Sequence, residues 1–212
     1  MRLKNKLKLL SLLIFTFCIH FQVSSQSDTV SLNSFAINIQ PLLSSVLNGG
    51  NTVSTSIKYG WLNADKTRFQ EISIDPTISL TKAKDDIDNT DDSNTQLGIG
   101  CSYFYGFILK SQKRLWLASG PRVSLGYAQF NNTSNEFVQK SIGWNAGIGY
   151  QLDFGIKLNR KLLIKSSIAL VFNHSSTSSK ITFMDDEISS NSTSQFRLQW
   201  VGPSNIDLVY FF

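Results

Sequence analysis

A histidine and a serine two positions apart form the pair in this sequence best suited to chemistry. They are His174 and Ser176 in the segment FNHSSTSS, and Glu187 follows in the same polar stretch. Nucleophilic hydrolases combine a hydroxyl, an imidazole and a carboxylate in this way. The stretch is so rich in serine that such a pair also arises by chance. A hydrolytic site and a merely hydrophilic rim are therefore both open interpretations.

A run of acidic residues is the second candidate site. The stretch Ala83–Thr95 contains five aspartates, whose oxygens are of the kind that Ca²⁺ binds. It lacks the glycine and the terminal glutamate of a calcium-binding loop. We therefore expect a solvated loop there rather than a metal site. The aspartates are Asp85, Asp86, Asp88, Asp91 and Asp92.

The first 25 residues predict a secretory signal peptide. A cationic start precedes the apolar run Leu9–Phe21, which is too short to span a membrane as a helix, and small residues precede Gln26. Cleavage before Gln26 leaves 16 basic and 15 acidic side chains, so the net charge falls from +5 to +1. That balance predicts no nucleic-acid surface. A lipoprotein signal through Cys18 is the alternative, which the bulky Phe17 disfavours.

Loss of the signal peptide also limits metal and redox chemistry. His174 is then the only histidine and Cys101 the only cysteine. One residue of each type cannot build a zinc centre, a redox pair or an internal disulfide. The glycines alternate along the chain and form no phosphate-binding loop. We therefore expect no cofactor and no metal.

Period-2 alternation of apolar and polar residues runs through nearly all of the remaining chain and predicts an all-β fold. Residues 26–33 form a short N-terminal segment, and residues 34–212 are expected to form one domain. Most predicted strands exceed the length of about 5–6 residues that is usual in soluble sheets. The eight strands are Ser34–Ser45, Val53–Leu62, Phe69–Thr81, Gln96–Leu109, Leu115–Phe130, Val138–Leu158, Leu162–His174 and Gln195–Phe212.

The predicted connections alternate between short charged turns and long polar loops. The short turns are Asn63–Thr67, Lys110–Arg114 and Asn159–Lys161. Short turns at one end and long loops at the other are the layout of a transmembrane β-barrel, and an even strand number places both termini at the short-turn end. The long loops are Ala83–Thr95, Asn131–Glu136 and Ser175–Ser194.

The two faces of the strands differ in polarity. In SIGWNAGIGYQLDFGIKL (Ser141–Leu158), one face is wholly apolar and the other consists of glycine and polar groups. A soluble barrel would bury the apolar face, whereas a membrane barrel turns it to lipid. Ten of the 13 glycines lie on the polar face, where they relieve crowding inside a closed barrel but would weaken a solvent-exposed strand. The polar face is therefore placed in the lumen, where charges must pair or be hydrated. The predicted luminal charges are Lys58, Asp75, Arg122, Asp153, Lys165, Arg197 and Asp207.

Aromatic residues mark the apolar face. Membrane barrels carry such residues in girdles at both interfaces. The chain itself ends in aromatic alternation, NIDLVYFF. The predicted interfacial aromatics are Tyr59, Trp61, Tyr103, Tyr105, Trp144, Tyr150, Trp200 and Tyr210.

Together these features resemble the small eight-stranded outer-membrane β-barrel proteins of Gram-negative bacteria, over Ser34 to Phe212. The resemblance implies a closed antiparallel up-and-down barrel with a polar, glycine-rich lumen filled by side chains. It also implies a monomer among outer-membrane lipids and lipopolysaccharide, with periplasmic termini and extracellular long loops. Leu208, Tyr210 and Phe212 resemble the signal read by the barrel-assembly machinery, which would be a transient partner.

Three functions follow as hypotheses. A structural or surface-interaction role is favoured, because an eight-stranded barrel is filled by side chains and leaves no wide pore. A narrow channel for ions or small solutes is one alternative. The second alternative is a hydrolase, because His174, Ser176 and a later carboxylate resemble the pattern of outer-membrane lipid A deacylases. That resemblance implies Ser176 as nucleophile, His174 as base and Glu187 as the group orienting it, although Thr177 replaces the asparagine that usually follows the serine.

Overall fold

The computed structural model describes residues 33–39, 52–85, 90–112, 114–134, 137–183, 186–202 and 205–212. Within these ranges the chain forms β-strands joined by turns. No helix there is long and apolar enough to cross a membrane. The strands are β1 (Asn33–Asn38), β2 (Thr52–Ser54), β3 (Ile57–Leu62), β4 (Arg68–Asp85), β5 (Thr90–Gln112), β6 (Leu115–Thr133), β7 (Phe137–Lys157), β8 (Leu162–Phe183), β9 (Asp186–Val201) and β10 (Ile206–Phe211).

The strands close into an antiparallel ring. Neighbours in the chain pair from β3 through β8, and β10 joins the two ends by pairing with both β1 and β8. The short strand β2 pairs with β4 beyond the end of β3, in the same strand position as β3. In the same way β9 pairs with β8 beyond the end of β10 and shares the position of β10. The ten segments thus occupy eight strand positions around the ring. This confirms the predicted closed all-β barrel of eight antiparallel strands.

The register of the ring fixes the tilt of its strands. We start at Leu162 on β8 and step from each residue to its partner on the next strand around the ring. After one full turn this path reaches Phe172, ten residues further along β8. With eight strands and standard strand spacings, this stagger gives a tilt of about 41° and a backbone radius of about 8 Å. Such an interior is just wide enough for side chains to fill. The path is Leu162, Tyr210, Phe35, Tyr59, Ile72, Tyr103, Val123, Ile148 and Phe172.

The long polar loops of the prediction are mostly strand, and that part of the prediction was wrong. The segment Ala83–Thr95 pairs within a β4–β5 hairpin, and Ser175–Ser194 pairs along β8 and β9. Only residues 86–89 and 184–185 of these stretches lie outside the described residues. Beyond the apolar part of the barrel both faces of a strand meet water. Apolar alternation therefore stops there while the backbone ladder continues.

Other predicted boundaries differ in smaller ways. The predicted strand Val53–Leu62 is interrupted between β2 and β3, and Gln195–Phe212 is interrupted between β9 and β10. Of Asn131–Glu136, residues 131–133 belong to β6. The predicted signal peptide, the short N-terminal segment to residue 32 and residues 40–45 of the first strand lie outside the described residues.

The first short turn is held by its own side chains. The Asp65 carboxylate accepts hydrogen bonds from the Thr67 hydroxyl (2.8 Å) and backbone N–H (3.3 Å). The Thr67 hydroxyl holds the pKa of Asp65 below its usual value. Lys66 has a left-handed backbone with φ of 56°, and the Asn63 side-chain oxygen accepts the Arg68 N–H at 2.7 Å. These local bonds let the chain reverse without a longer connection.

The exterior of the ring carries an apolar band between two aromatic girdles. At the tilt given above, each residue rises about 2.5 Å along the barrel axis and each step to the next strand about 3 Å. Trp61, Tyr210 and Phe212 then lie at the short-turn end, within about 5 Å of Tyr210 in height. Tyr127, Trp144 and Phe196 lie about 26–30 Å higher. The band between the girdles is built from exposed residues such as Val123, Leu125, Ile148 and Phe172.

All eight predicted interfacial aromatics point outward, but three differ from the prediction in height. Tyr103, Tyr150 and Trp200 lie about 13–20 Å above Tyr210, between the girdles. The Tyr103 hydroxyl donates to Gln70 at 2.6 Å, and the Tyr150 hydroxyl is 3.1 Å from that of Ser119. Both hydroxyls therefore have partners within the apolar band.

Some luminal glycines are required because the next strand approaches closely. A Cβ atom at Gly155 would lie 2.5 Å from the carbonyl oxygen of Ile164 on β8. At Gly143 on the same strand the nearest atom would be the movable Thr177 hydroxyl, at 3.3 Å. We expect Gly155→Ala to destabilise the barrel by about 1–3 kcal/mol through forced backbone shifts, and Gly143→Ala to be nearly neutral. Urea unfolding of the two variants measures this, and equal unfolding midpoints would contradict it.

The barrel lumen as the candidate functional site

The lumen is closed at the short-turn end by an apolar plug. Phe69 packs edge-on against Trp116 with ring centroids 5.4 Å apart, and Phe211 lies 6.1 Å from Trp116. These residues occupy luminal positions where the sequence pattern predicted polar and small side chains. The plug consists of Ala36, Leu62, Phe69, Phe104, Trp116, Ala118, Leu163, Val209 and Phe211, all no more than 8% exposed.

A cluster of buried charges lies directly above the plug. Lys165 donates to Glu71 at 2.6 Å and to Asp153 at 2.9 Å. Lys58 donates to Asp207 at 2.5 Å and lies 3.9 Å from Glu71. All five side chains are buried, so each charge depends on its partners rather than on water. Two ammonium groups face three carboxylates, which gives this charge cluster a net charge of −1.

The charge cluster joins four of the seven predicted luminal charges through a residue that sequence reasoning missed. Glu71 bridges Lys58 and Lys165, although it was not among the predicted residues. The signal for it was present, because Glu71 and Asp75 are four positions apart on one strand and therefore share a face. Gln151 was missed as well, and it donates to Asp153 at 2.6 Å.

The other three predicted luminal charges are separate from the cluster. Arg122 donates to the Gln151 side-chain oxygen at 3.1 Å, and Asp75 accepts from the Ser73 hydroxyl at 3.2 Å. Arg197 is exposed near the hairpin end of the lumen. Among the described residues none of the three forms an ion pair. The prediction treated all seven charges as one luminal network. In the fold, four of them form the buried charge cluster and the other three lie higher along the barrel axis.

Two polar chambers occupy the lumen above the charge cluster. The lower chamber has a volume of about 200 Å³ and is bordered by Lys58, Glu71, Gln151 and Ser167. The upper chamber has a volume of about 480 Å³ and extends to Ser175, Gln195 and Arg197 at the hairpin end. Asp75, Ser102 and Arg122 border both chambers and therefore lie at the boundary between them.

The lower chamber contains polar atoms that have no hydrogen-bond partner among the described residues. They include the buried hydroxyls of Ser56 and Ser167 and the Nε atom of Arg122. A polar space with several such groups can hold ordered water, which supplies the missing hydrogen bonds. The lower chamber is therefore suited to bound water.

Glycines keep the upper chamber open. A Cβ atom at Gly100 would lie 3.4 Å from the Cβ of Asp75, and one at Gly126 would lie 2.7 Å from the Asn145 amide nitrogen. The Asp75 and Asn145 side chains thus lie flat across glycines of neighbouring strands. Larger residues at Gly100 and Gly126 would lift these side chains into the chamber.

The His174, Ser176 and Glu187 side chains do not form a triad. Glu187 is paired with Thr182, eight positions beyond His174 and thus roughly 26 Å away along the strand. Its carboxylate binds Lys180 at 2.6 Å instead. The His174 Nε2 atom lies 2.8 Å from the Ser194 hydroxyl, and its ring lies between Trp144 and Phe196. The geometry corresponds to a histidine in the exterior aromatic girdle.

Metal ligation has no support in the described part of the chain. No group of three or more histidine, cysteine, aspartate or glutamate side chains there could hold an ion. Of the acidic stretch, Asp85 ends β4, and Asp91 and Asp92 of β5 are paired in backbone register with Lys84 and Ala83. Asp86 and Asp88 lie outside the described residues.

Fold and lumen together define a class, an eight-stranded antiparallel barrel with an apolar exterior and a lumen that buried side chains fill at the short-turn end. No protein-family model matches the sequence, and no curated protein matches it. Among solved structures, a major outer membrane protein from Thermus thermophilus is similar, with a TM-score of 0.46 and 10% identity over 86% of this chain and the whole of that one. At that level of similarity neither family nor function is transferred.

Proposed function

We propose that this protein is an integral barrel of a bacterial outer membrane that is closed to diffusion and presents its long hairpins to the outside. One observation carries the proposal. A closed ring of eight strand positions carries an apolar exterior between two aromatic girdles about 25–30 Å apart, which matches the apolar band of about 25 Å in such barrels.

The composition of the interior supports the same orientation. Leu198, Leu125 and Ile148 are more than 60% exposed on the exterior, whereas Asp153, Lys165 and Asp207 are at most 1% exposed in the lumen. A soluble barrel would reverse this distribution, because exposing many large apolar side chains to water is unfavourable. Lipids and lipopolysaccharide are the partners that this exterior fits.

The filled lumen supports a role other than transport. The apolar plug and the charge cluster are stacked across the interior, and their buried side chains fill the short-turn end of the lumen in the described part of the chain. A structural or surface-interaction role remains, with β4–β5 and β8–β9 as the surfaces offered outside. The outward-pointing Leu208, Tyr210 and Phe212 fit recognition by assembly machinery, and the ring needs no second copy to close.

Reconstitution tests this proposal. The protein, folded in detergent, should insert into phosphatidylcholine vesicles, resist urea and migrate differently on electrophoresis before and after boiling. In planar bilayers it should give no stable conductance steps. A protein that is monodisperse in buffer without detergent would overturn the membrane assignment, and steady conductance would overturn the closed lumen.

A charge placed on the exterior tests the lipid contact directly. Ile148 is 62% exposed in the middle of the apolar band. We expect Ile148→Lys to destabilise the folded protein in vesicles by about 2–4 kcal/mol, as lysine does at the bilayer midplane. The matched control is Ser178→Lys, which adds the same charge to an exposed strand position beyond the girdle. Equal stability of both variants in vesicles would mean that the band does not face lipid.

A further inference from the structure

The upper chamber holds charges that the fold leaves without ion-pair partners. Below it every buried lysine and carboxylate of the charge cluster is within 4 Å of an opposite charge. At and above the boundary, Asp75, Arg122 and Arg197 are not paired with any charge in the described residues. The chain therefore provides paired charges in the charge cluster and unpaired charges beside a cavity of about 480 Å³.

The arrangement of these charges suits a particular kind of ligand. A guanidinium binds a carboxylate through two parallel hydrogen bonds, and a carboxylate accepts hydrogen bonds from an ammonium group. Arg122 and Asp75 both border the floor of the upper chamber, and Asn145 and Asn173 supply neutral hydrogen-bonding groups above them. A bare anion would be repelled by Asp75, and a bare cation by the two arginines.

We propose that the upper chamber binds a small zwitterionic solute of the amino-acid type, with its carboxylate on Arg122 and its ammonium group on Asp75. Arg197, near the hairpin end, then favours solutes with a second acidic group, because two guanidiniums and one carboxylate give the chamber a net charge of +1. The volume lies within the range of about 300–1,000 Å³ usual for small-ligand sites. This inference goes beyond the proposed membrane role and does not depend on it.

The test uses the whole protein folded in detergent, with binding measured by calorimetry and by saturation-transfer NMR. L-glutamate is the main probe, N-acetyl-L-glutamate lacks its ammonium charge, and inorganic phosphate is a plain anion. We expect saturable binding of L-glutamate, with the acetylated probe at least about tenfold weaker. Asp75→Asn should abolish this difference between the probes. Arg197→Gln should weaken the binding of L-glutamate by about tenfold.

Controls separate binding from folding. Arg160→Gln removes an arginine from an exposed short turn and should leave binding unchanged. Each variant is first checked for the folded electrophoretic band, and Arg197 is exposed enough that its loss does not unpair a buried partner. Absence of saturable L-glutamate binding would overturn the proposal. Equal binding of the two glutamate probes, or phosphate binding as tight as that of L-glutamate, would show a simple anion site and overturn it as well.

Discussion

Replacing Lys165 with methionine is expected to destabilise the barrel by about 3–5 kcal/mol, the usual cost of removing one partner from a buried ion pair. The Lys165 ammonium group lies 2.6 Å from Glu71 and 2.9 Å from Asp153. Methionine preserves most of the volume but leaves the two carboxylates with Lys58 as the remaining cation of the charge cluster. The net charge of the charge cluster falls from −1 to −2. Urea unfolding followed by tryptophan fluorescence and electrophoretic mobility measures the loss.

Two further variants show whether charge is the cause. Lys161→Met removes a lysine from an exposed turn and should change stability by less than about 0.5 kcal/mol. Adding Asp153→Asn to Lys165→Met returns the net charge of the cluster to −1 and should recover part of the loss. If the double variant were less stable than Lys165→Met, packing rather than charge would explain the effect.

Phe69→Ala is expected to have the second large effect, a loss of about 3–5 kcal/mol from an emptied site in the apolar plug. Phe69 is 1% exposed and packs edge-on against Trp116. The ring also covers Gly60, where a Cβ atom would lie 2.7 Å from the ring. The plug is closed by the barrel wall, so it cannot collapse far to fill the space. Urea unfolding in detergent measures the loss.

The glycine beneath the ring provides a sharp control. Gly60→Ala should destabilise the native protein because its methyl group meets Phe69 and the Ser34 hydroxyl, each at 2.7 Å, and it should cost less once Phe69 is alanine. This coupling is the pairwise term of a double-mutant cycle. Phe107→Ala, on the exterior at 47% exposure, should cost less than about 1 kcal/mol. Additive effects of Gly60→Ala and Phe69→Ala would contradict the contact.

The fold was predictable from the sequence because a strand has a side-chain period of two. Alternation along Ser141–Leu158 assigns Ile148 to one face and Gly149 to the other without knowledge of any partner strand. Each alternating segment counts as one strand, which gives the strand number. Because every strand has one apolar and one polar face, the strands are expected to close into a ring with the apolar faces outside. Lys58, Asp153, Lys165 and Asp207 were placed on the luminal face for the same reason.

The remaining features depend on height along the barrel, which alternation does not report. Phe69 and Trp116 share the luminal face with Glu71 and Arg122, and only the stagger of ten residues separates plug, charge cluster and chambers into layers. The same stagger keeps Asp75 out of the charge cluster. The prediction of a loop at Ser175–Ser194 was wrong because a strand that is exposed to solvent on both faces has the polar composition of a loop.

The paired hairpins constrain how the outer part of this protein can change in evolution. Where β8 and β9 pair, Ala169–Ile181 and Ser189–Val201 are in continuous register, so inserting one residue into either arm would turn every later side chain to the opposite face. Tolerated length changes should therefore come as two residues in each arm, or fall at the hairpin tip. A single extra residue needs a bulge, and the shift of register between Ile181 and Thr182 is a place where the ribbon already accommodates one. In homologous chains the two arms of these hairpins should thus differ in length by even numbers of residues, whereas the hairpin tips should differ by any number.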